Sequence, residues 1–366
     1  MLNKHNNSVI QCIFLFVVFS VVMVSAILTF IALSKRYSVI YYIPTSMFKG
    51  YLCDNPSQWN NTLVAMETQS TVNDKEKHTM YPRKPPRMLQ TIDLMNSKTG
   101  IICVMLTAGL GNNIFQFAST FGIAMSKNMT FIVNRNSYLN YVFKLNVNFT
   151  NDYSVCKTFK VAIEKLSGTY DEKLLSYNSS QNLRIGQYLQ SWKYFYQFRK
   201  QIREQLIFQD PIQDYVNKHI DLILYERRIS SRKNITLVGV HVRRGDKLLQ
   251  KDVNVASKEY LHKAVHYFRK KYGKVLFIVA SNGMEWTKEN MPKDILVKYI
   301  QGTTETDLAM LASCDHVITT IGTYSWWSGW LAGGEVTYFK SPAKPGTAFA
   351  HRLNYKDYFD PEWIGL

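Results

Sequence analysis

From Lys98 onward, apolar runs of strand length alternate with amphipathic stretches of helix length, and this alternation constrains the fold more than any single residue does. In the first half, residues 101–107 read as a strand, 113–127 as a helix and 130–133 as a strand. In the second half, 235–242, 275–280, 295–300, 316–320 and 336–339 read as strands, with 258–272, 306–314 and 325–332 as helices among them. A parallel connection needs a crossover long enough to hold a helix, so this spacing predicts parallel sheets covered by helices. The expected fold class is α/β, with two facing Rossmann-like domains at 98–230 and 231–366. Residues 192–208 and 212–228 read as a helical pair between them.

The N-terminus is of another kind. Residues 9–33 carry no charge and are rich in Val, Ile, Phe and Leu; as a helix they would reach roughly 37 Å, enough to cross a bilayer with some tilt. The run ends in Ala32-Leu33-Ser34-Lys35-Arg36 without an Ala-x-Ala step, which favours a transmembrane signal anchor over a cleaved signal peptide. A cytoplasmic tail (1–8) and a stem (34–97) flank it. The stem lacks periodicity and is kept extended by Tyr81-Pro82-Arg83-Lys84-Pro85-Pro86-Arg87. Only Lys4 and the α-amino group precede the span while Lys35 and Arg36 follow it, so a literal count of positive charge mildly favours the opposite orientation. The sequons at Asn60, Asn128, Asn148, Asn178 and Asn234 argue for a lumenal body, although Asn6 also heads one. A membrane protein of the secretory pathway with a lumenal body is therefore expected. Outside the span, Cys53, Cys103, Cys156 and Cys314 allow three disulfide connectivities, and Cys103 and Cys314 also read as small buried core residues.

With 46% hydrophobic and 19% charged residues, the chain is neither collagen-like nor wholly disordered. Its formal charge of +17 attracts anions without distinguishing nucleic acid, lipid or nucleotide phosphate. No nucleic-acid recognition motif accompanies that charge, and no nucleic-acid partner is expected.

Four strand ends carry the residues suited to chemistry. In Gly239-Val240-His241-Val242-Arg243-Arg244-Gly245-Asp246-Lys247 an apolar strand ends in a His, an Arg pair and an Asp, and in parallel sheets such ends line the ligand crevice. The pleat places Arg243 on the face of His241 and Arg244 on the other, so one arginine faces the crevice and its neighbour makes structural hydrogen bonds. An arginine fork binds a diphosphate bidentately; the competing reading is an ion pair to Asp246 that closes the turn. The adhesion-like Arg244-Gly245-Asp246 follows a core strand and reads as accidental. Ala108-Gly109-Leu110-Gly111-Asn112-Asn113 opens a helix where Gly109 and Gly111 would let backbone approach a ligand. Thr319-Thr320-Ile321-Gly322-Thr323-Tyr324-Ser325 again turns a strand into a helix with hydroxyls and amides near phosphate height. Ser281 and Asn282 end another strand, and Asp307 starts a helix, where it satisfies the dipole or accepts from a base or ribose. The run Trp326-Trp327-Ser328-Gly329-Trp330 reads as packing on the sheet rather than as a sugar platform.

Taken together, these blocks resemble the galactoside α-1,2-fucosyltransferases. The resemblance covers residues 100–366 through Gly109-Leu110-Gly111-Asn112, the His-x-Arg-Arg-x-Asp block, Ser281–Trp286, Thr320–Ser325 with Leu331-Ala332-Gly333-Gly334, and the close Pro361-Glu362-Trp363-Ile364-Gly365. It departs at Asn113, where the family more often has Gln, and in the extra tryptophans. The resemblance implies an inverting, metal-independent transfer of L-fucose from GDP-β-L-fucose to the 2-hydroxyl of a terminal galactose, on a GT-B-type fold and without a cofactor. It implies that Arg243 holds the β-phosphate, that His241 and Asp307 read the nucleotide, and that Thr323, Tyr324 and Ser325 sit against the diphosphate. Arg244, Ser281, Asn282, Gly109 and Gly111 complete the expected donor site. Asp246, Asn112 and Asp252 are the candidates for the base that the acceptor hydroxyl requires. Rival readings are a fucosyltransferase acting on an N-glycan core or a protein hydroxyl, and a non-catalytic membrane lectin or adhesion protein.

Overall fold

Two parallel sheets, buried on both faces at their central strands, organise the molecule. The computed structural model describes residues 99–366. The expected tail, anchor and stem, with Cys53 and Asn60, lie outside the described residues. Among the described residues, no helix is long and apolar enough to cross a membrane.

The first sheet holds β1 (Ile101–Val104), β2 (Thr130–Asn134), β3 (Asn148–Thr150), β4 (Lys160–Ile163) and β5 (Leu183–Gly186) in the order β3-β2-β1-β5-β4. The second holds β6 (Thr236–Val242), β7 (Val275–Ser281), β8 (Leu296–Tyr299), β9 (His316–Thr319), β10 (Val336–Tyr338) and β11 (Ile364–Gly365) in the order β11-β10-β9-β6-β7-β8. Every strand pair is parallel. Apolar runs such as Leu237–Val242 are buried at every position because helices cover both faces of a parallel sheet.

Helices of two turns or more are α1 (Leu110–Ser126), α2 (Arg199–Gln205), α3 (Asp210–Glu226), α4 (Lys258–Tyr272), α5 (Met284–Asn290), α6 (Thr304–Ala312) and α7 (Thr323–Ala332). In each sheet the order reverses at one point, between β1 and β5 in the first and between β6 and β9 in the second. Connections leave in opposite directions at such a point, opening a crevice beyond the strand ends where ligands bind.

The two halves share one core, into which Phe115 of α1 and Trp326 and Trp327 of α7 pack together. The described residues fall within a single compact unit. The C-terminal segment returns to the first half: Asp357 accepts from the Tyr170 N–H at 3.0 Å, and Ser191 Oγ donates to the Asp357 carbonyl at 2.7 Å.

Three expectations change. Residues 192–208 form two 3₁₀ turns, Trp192–Tyr194 and Tyr196–Phe198, before α2 rather than one helix. The adjacent Tyr194 and Phe195 are both buried, and one amphipathic helix face does not bury successive residues this way. Cys103 is buried but bonded to Cys156, a loop closure worth about 4 kcal/mol in the chain-entropy account; Cys314 is the expected buried thiol. Asn148 lies on the edge strand β3 with Nδ2 donating to the Phe131 carbonyl at 3.3 Å, a poor presentation for a glycan, whereas Asn128, Asn178 and Asn234 are exposed.

The halves pack tightly at Gly111, where an added Cβ would stand 2.4 Å from the Tyr324 nitrogen and 2.6 Å from the Thr323 carbonyl carbon. At Gly109 nothing lies within 4 Å of such an atom. Gly111→Ala should therefore lower unfolding free energy by about 1–3 kcal/mol despite alanine's better helix propensity. Gly109→Ala should cost less than about 1 kcal/mol. Denaturant unfolding of the two variants checks the contrast.

Candidate functional site

The two reversal points face each other across a cavity of about 440 Å³. From the first half come Asn112 at the start of α1 and Tyr188 and Gln190 after β5. From the second come Arg243 after β6, residues 319–323 between β9 and α7, and Lys247 and Asp252 beyond the arginine turn. Arg352 and Trp363 close it from the C-terminal segment.

Thr320 ties the second reversal point together. Its hydroxyl donates to the His241 carbonyl at 3.0 Å and accepts from the Arg243 N–H at 2.9 Å, linking the ends of β6 and β9. Gly322 follows with φ of 96°, a conformation that favours glycine, and from it α7 starts with its first residue, Thr323, on the cavity wall.

Arg243 makes the ion pair to Asp246 and also lines the cavity. Its Nε and Nη2 donate to the two oxygens of Asp246 at 3.0 and 2.9 Å, while Nη1 makes no hydrogen bond among the described residues. Asn282 fixes this pair: its Oδ1 accepts from the Arg244 and Gly245 N–H groups and its Nδ2 donates to Asp246 at 2.9 Å. The hydrogen bonds and charge of Arg243, with the Asn282 amide, hold the Asp246 carboxyl below its ordinary range. A carboxylate so occupied and so acidic is a weak base, and Asp246 does not line the cavity.

Several expected donor contacts are taken up by the fold. Arg244 points away, its guanidinium 3.8 Å from the Trp286 ring centroid and Nη1 donating to the Ala256 carbonyl. Ser281 Oγ donates to the Val242 carbonyl and accepts from the Gly283 N–H, locking the strand end. Ser325 is 1% exposed, with its hydroxyl accepting from the Thr320 N–H, so it does not reach a diphosphate. Tyr324 donates to the Thr304 carbonyl at 2.7 Å. Asp307 accepts from the Gly302 N–H at 2.9 Å, and burial, with Glu305 adding, raises its carboxyl above the usual range. Neither Tyr324 nor Asp307 lines this cavity. Gly111 makes room for the other half rather than for a ligand, and Gly109 is exposed. Asn112 lines the wall, but its Oδ1 accepts from Thr323 Oγ1 at 3.0 Å and Gln190 Nε2 at 2.9 Å; an amide so engaged bridges the halves and is no base.

The adhesion and lectin readings lose their surfaces. Arg244 and Asp246 are engaged as described, and Trp326, Trp327 and Trp330 are each at most 2% exposed.

Asp252 is the sole carboxylate on the cavity wall, facing three cationic side chains, Arg243, Lys247 and Arg352. Its oxygens make no hydrogen bond among the described residues. Lys247 donates to Gln250 Oε1 at 2.9 Å. Burial and the charge of Arg243 lower its ammonium, opposed by Asp246 and Asp252. Of these wall residues, Lys247 stands in the arginine block and Trp363 in the closing Pro361–Gly365 block, whereas Tyr188, Gln190 and Arg352 come from stretches without a motif. The signal that could have found Tyr188 and Gln190 is their place just after a strand end, Gly186.

His241 lies beneath the turn, 7% exposed and 4.8 Å from the Tyr324 ring, with Nδ1 buried and unpartnered among the described residues. Burial, reinforced by Arg243, pushes its imidazole down to about 3. Below the free-imidazole value of about 6.5, the unfolded chain takes a proton that the folded chain refuses. Stability should fall by about 1.4 kcal/mol per pH unit as pH drops below that value. In His241→Leu that contribution to the slope should vanish, as read by urea unfolding between pH 7.5 and 5.5.

Residues 62–366 match the family described as glycosyl transferase family 11. The chain is 28% identical over 308 residues to galactoside alpha-(1,2)-fucosyltransferase 2 of Mus musculus, across 81% of this chain and 87% of that one. To the protein of that name from Sus scrofa it is 34% identical over 194 residues, across 50% and 56% of the two chains. Among solved structures it is similar to the fucosyltransferase NodZ from Bradyrhizobium, with a TM-score of 0.42 and 15% identity over 63% of this chain and 93% of that one, a likeness too distant to bear on the site. The match extends over most of the chain and agrees with the resemblance read from the sequence blocks: this protein belongs to glycosyl transferase family 11.

Proposed function

We propose that the chain transfers L-fucose from GDP-β-L-fucose to the 2-hydroxyl of a terminal galactose, with inversion and without a metal ion. The observation that carries this reading is the Arg243 fork on the wall of the inter-sheet cavity, beside the N-terminus of α7 and in reach of a lone carboxylate. The names of the relatives support the galactoside acceptor.

In this reading the arrangement is of the GT-B type, with residues 231–366 holding the donor and 98–230 the acceptor side. As the bond from fucose C1 to the β-phosphate breaks, negative charge grows on GDP. Arg243, Lys247, Arg352 and the first amides of α7 offset it, which leaves a divalent cation no necessary task. Asp252 accepts the proton of the galactose hydroxyl while that oxygen attacks C1 from the face opposite GDP, which inverts the centre. The neutral His241 leaves Arg243 without a competing charge beneath it. Residues 9–33 would anchor the enzyme as a single-pass type II Golgi protein with this cavity in the lumen.

Calorimetric GDP binding and initial-rate transfer test the assignment. Arg243→Ala should weaken GDP binding and lower kcat by about 10²–10³. Asp252→Asn should leave GDP affinity unchanged and lower kcat by about 10² or more. Unaltered GDP binding by Arg243→Ala would remove the reading's main support.

A further inference from the structure

Glu164 stands one residue beyond the end of β4, beside the first reversal point, and is only 4% exposed. Its Oε1 accepts from two consecutive backbone groups, the N–H of Tyr188 at 2.9 Å and of Leu189 at 2.8 Å. Its Oε2 is buried and has no hydrogen-bond partner among the described residues. A buried carboxylate with one oxygen unpaired is costly, so its place needs a reason beyond packing.

The segment it holds is itself strained. Gln187 and Leu189 have φ of 72° and 52°, a left-handed conformation that costs side-chain-bearing residues about 1 kcal/mol or more each. Donors from α1 fix the opposite edge of the turn: Gln116 Nε2 to the Gln187 carbonyl at 2.9 Å and Ser119 Oγ to the Leu189 carbonyl at 2.8 Å. The backbone is thus held between hydrogen-bond donors on one side and a carboxylate on the other. What the turn presents is Tyr188 and Gln190, both on the cavity wall, and Gln190 continues through Asn112 to Thr323 at the start of α7.

We infer that Glu164 is a positioning residue that sets the acceptor-side wall of the transfer site through the strained 187–190 turn. The inference rests on the proposed fucosyl transfer and adds a residue that touches neither the cavity nor the donor side. It predicts a divided kinetic effect, because the turn faces the acceptor half while Arg243 and the start of α7 face the donor.

With the full-length chain in detergent, GDP-fucose as donor and lactose as acceptor, Glu164→Ala should raise the acceptor KM by about tenfold or more. Donor KM and GDP affinity should stay within about twofold. Glu164→Gln keeps an oxygen for the two N–H groups and should recover most of the acceptor KM; should the alanine variant fail to fold, Glu164→Asp, whose shorter side chain draws the carboxylate away from the Tyr188 and Leu189 N–H groups, should raise the acceptor KM with donor KM unchanged. Transfer by the unaltered chain with equal donor and acceptor effects in the variants, or with none, would overturn the inference alone. Absence of transfer by the unaltered chain despite GDP binding would overturn the galactoside reading and the inference with it.

Discussion

The structure depends on one contact, the packing of the first turn of α1 against the first turn of α7 at Gly111. Each helix starts at the reversal point of its own sheet, so seating the two helix starts together sets the two crevices face to face. Two open parallel sheets would otherwise offer two separate shallow clefts. Here Asn112 and Thr323 share a hydrogen bond across the join, and Phe115, Trp326 and Trp327 continue it into a common core. The aromatic run beside the site is thus a structural partner of the glycine, and the cavity is a product of helix packing.

Within that frame, charge is distributed by side. The second half contributes Arg243, Lys247, Arg352 and a helix N-terminus, all suited to an anion that gains charge. Asp246 and Asn282 hold the Arg243 fork while its Nη1 makes no hydrogen bond among the described residues, and the carboxylate most conspicuous in the arginine block is thereby spent on geometry. Asp252, a few residues on, lines the cavity without such partners and is the base in the proposed transfer. The first half contributes neutral polar groups on a strained turn, which suits recognition of sugar hydroxyls.

Much of this was legible in the sequence. Alternating apolar and amphipathic segments specified the parallel layers because burial on both sheet faces demands continuous apolar runs, and the pleat alone separated Arg243 from Arg244, so that only one of the two could face the crevice. The roles of Gly111, Ser325 and Asn282 were not legible, because whether a glycine, serine or asparagine at a helix or strand end meets a ligand or the protein depends on what packs opposite. Glu164 carried no local signal at all: its partners, Tyr188 and Leu189, become its neighbours only through the pairing of β4 with β5. The disulfide likewise required Cys103 and Cys156 to be brought together by the fold.

The central claim is that two facing reversal points form a single fucosyl-transfer site in which protein cations do the work of a metal. The most direct measurement incubates the full-length chain with GDP-fucose, a panel of β-galactosides and excess chelator, and determines the linkage of any product. The account predicts an α-1,2-linked fucosyl galactoside formed at an undiminished rate. Transfer that stops with chelator would contradict the charge mechanism, and a product linked elsewhere than the galactose 2-hydroxyl would contradict the acceptor assignment.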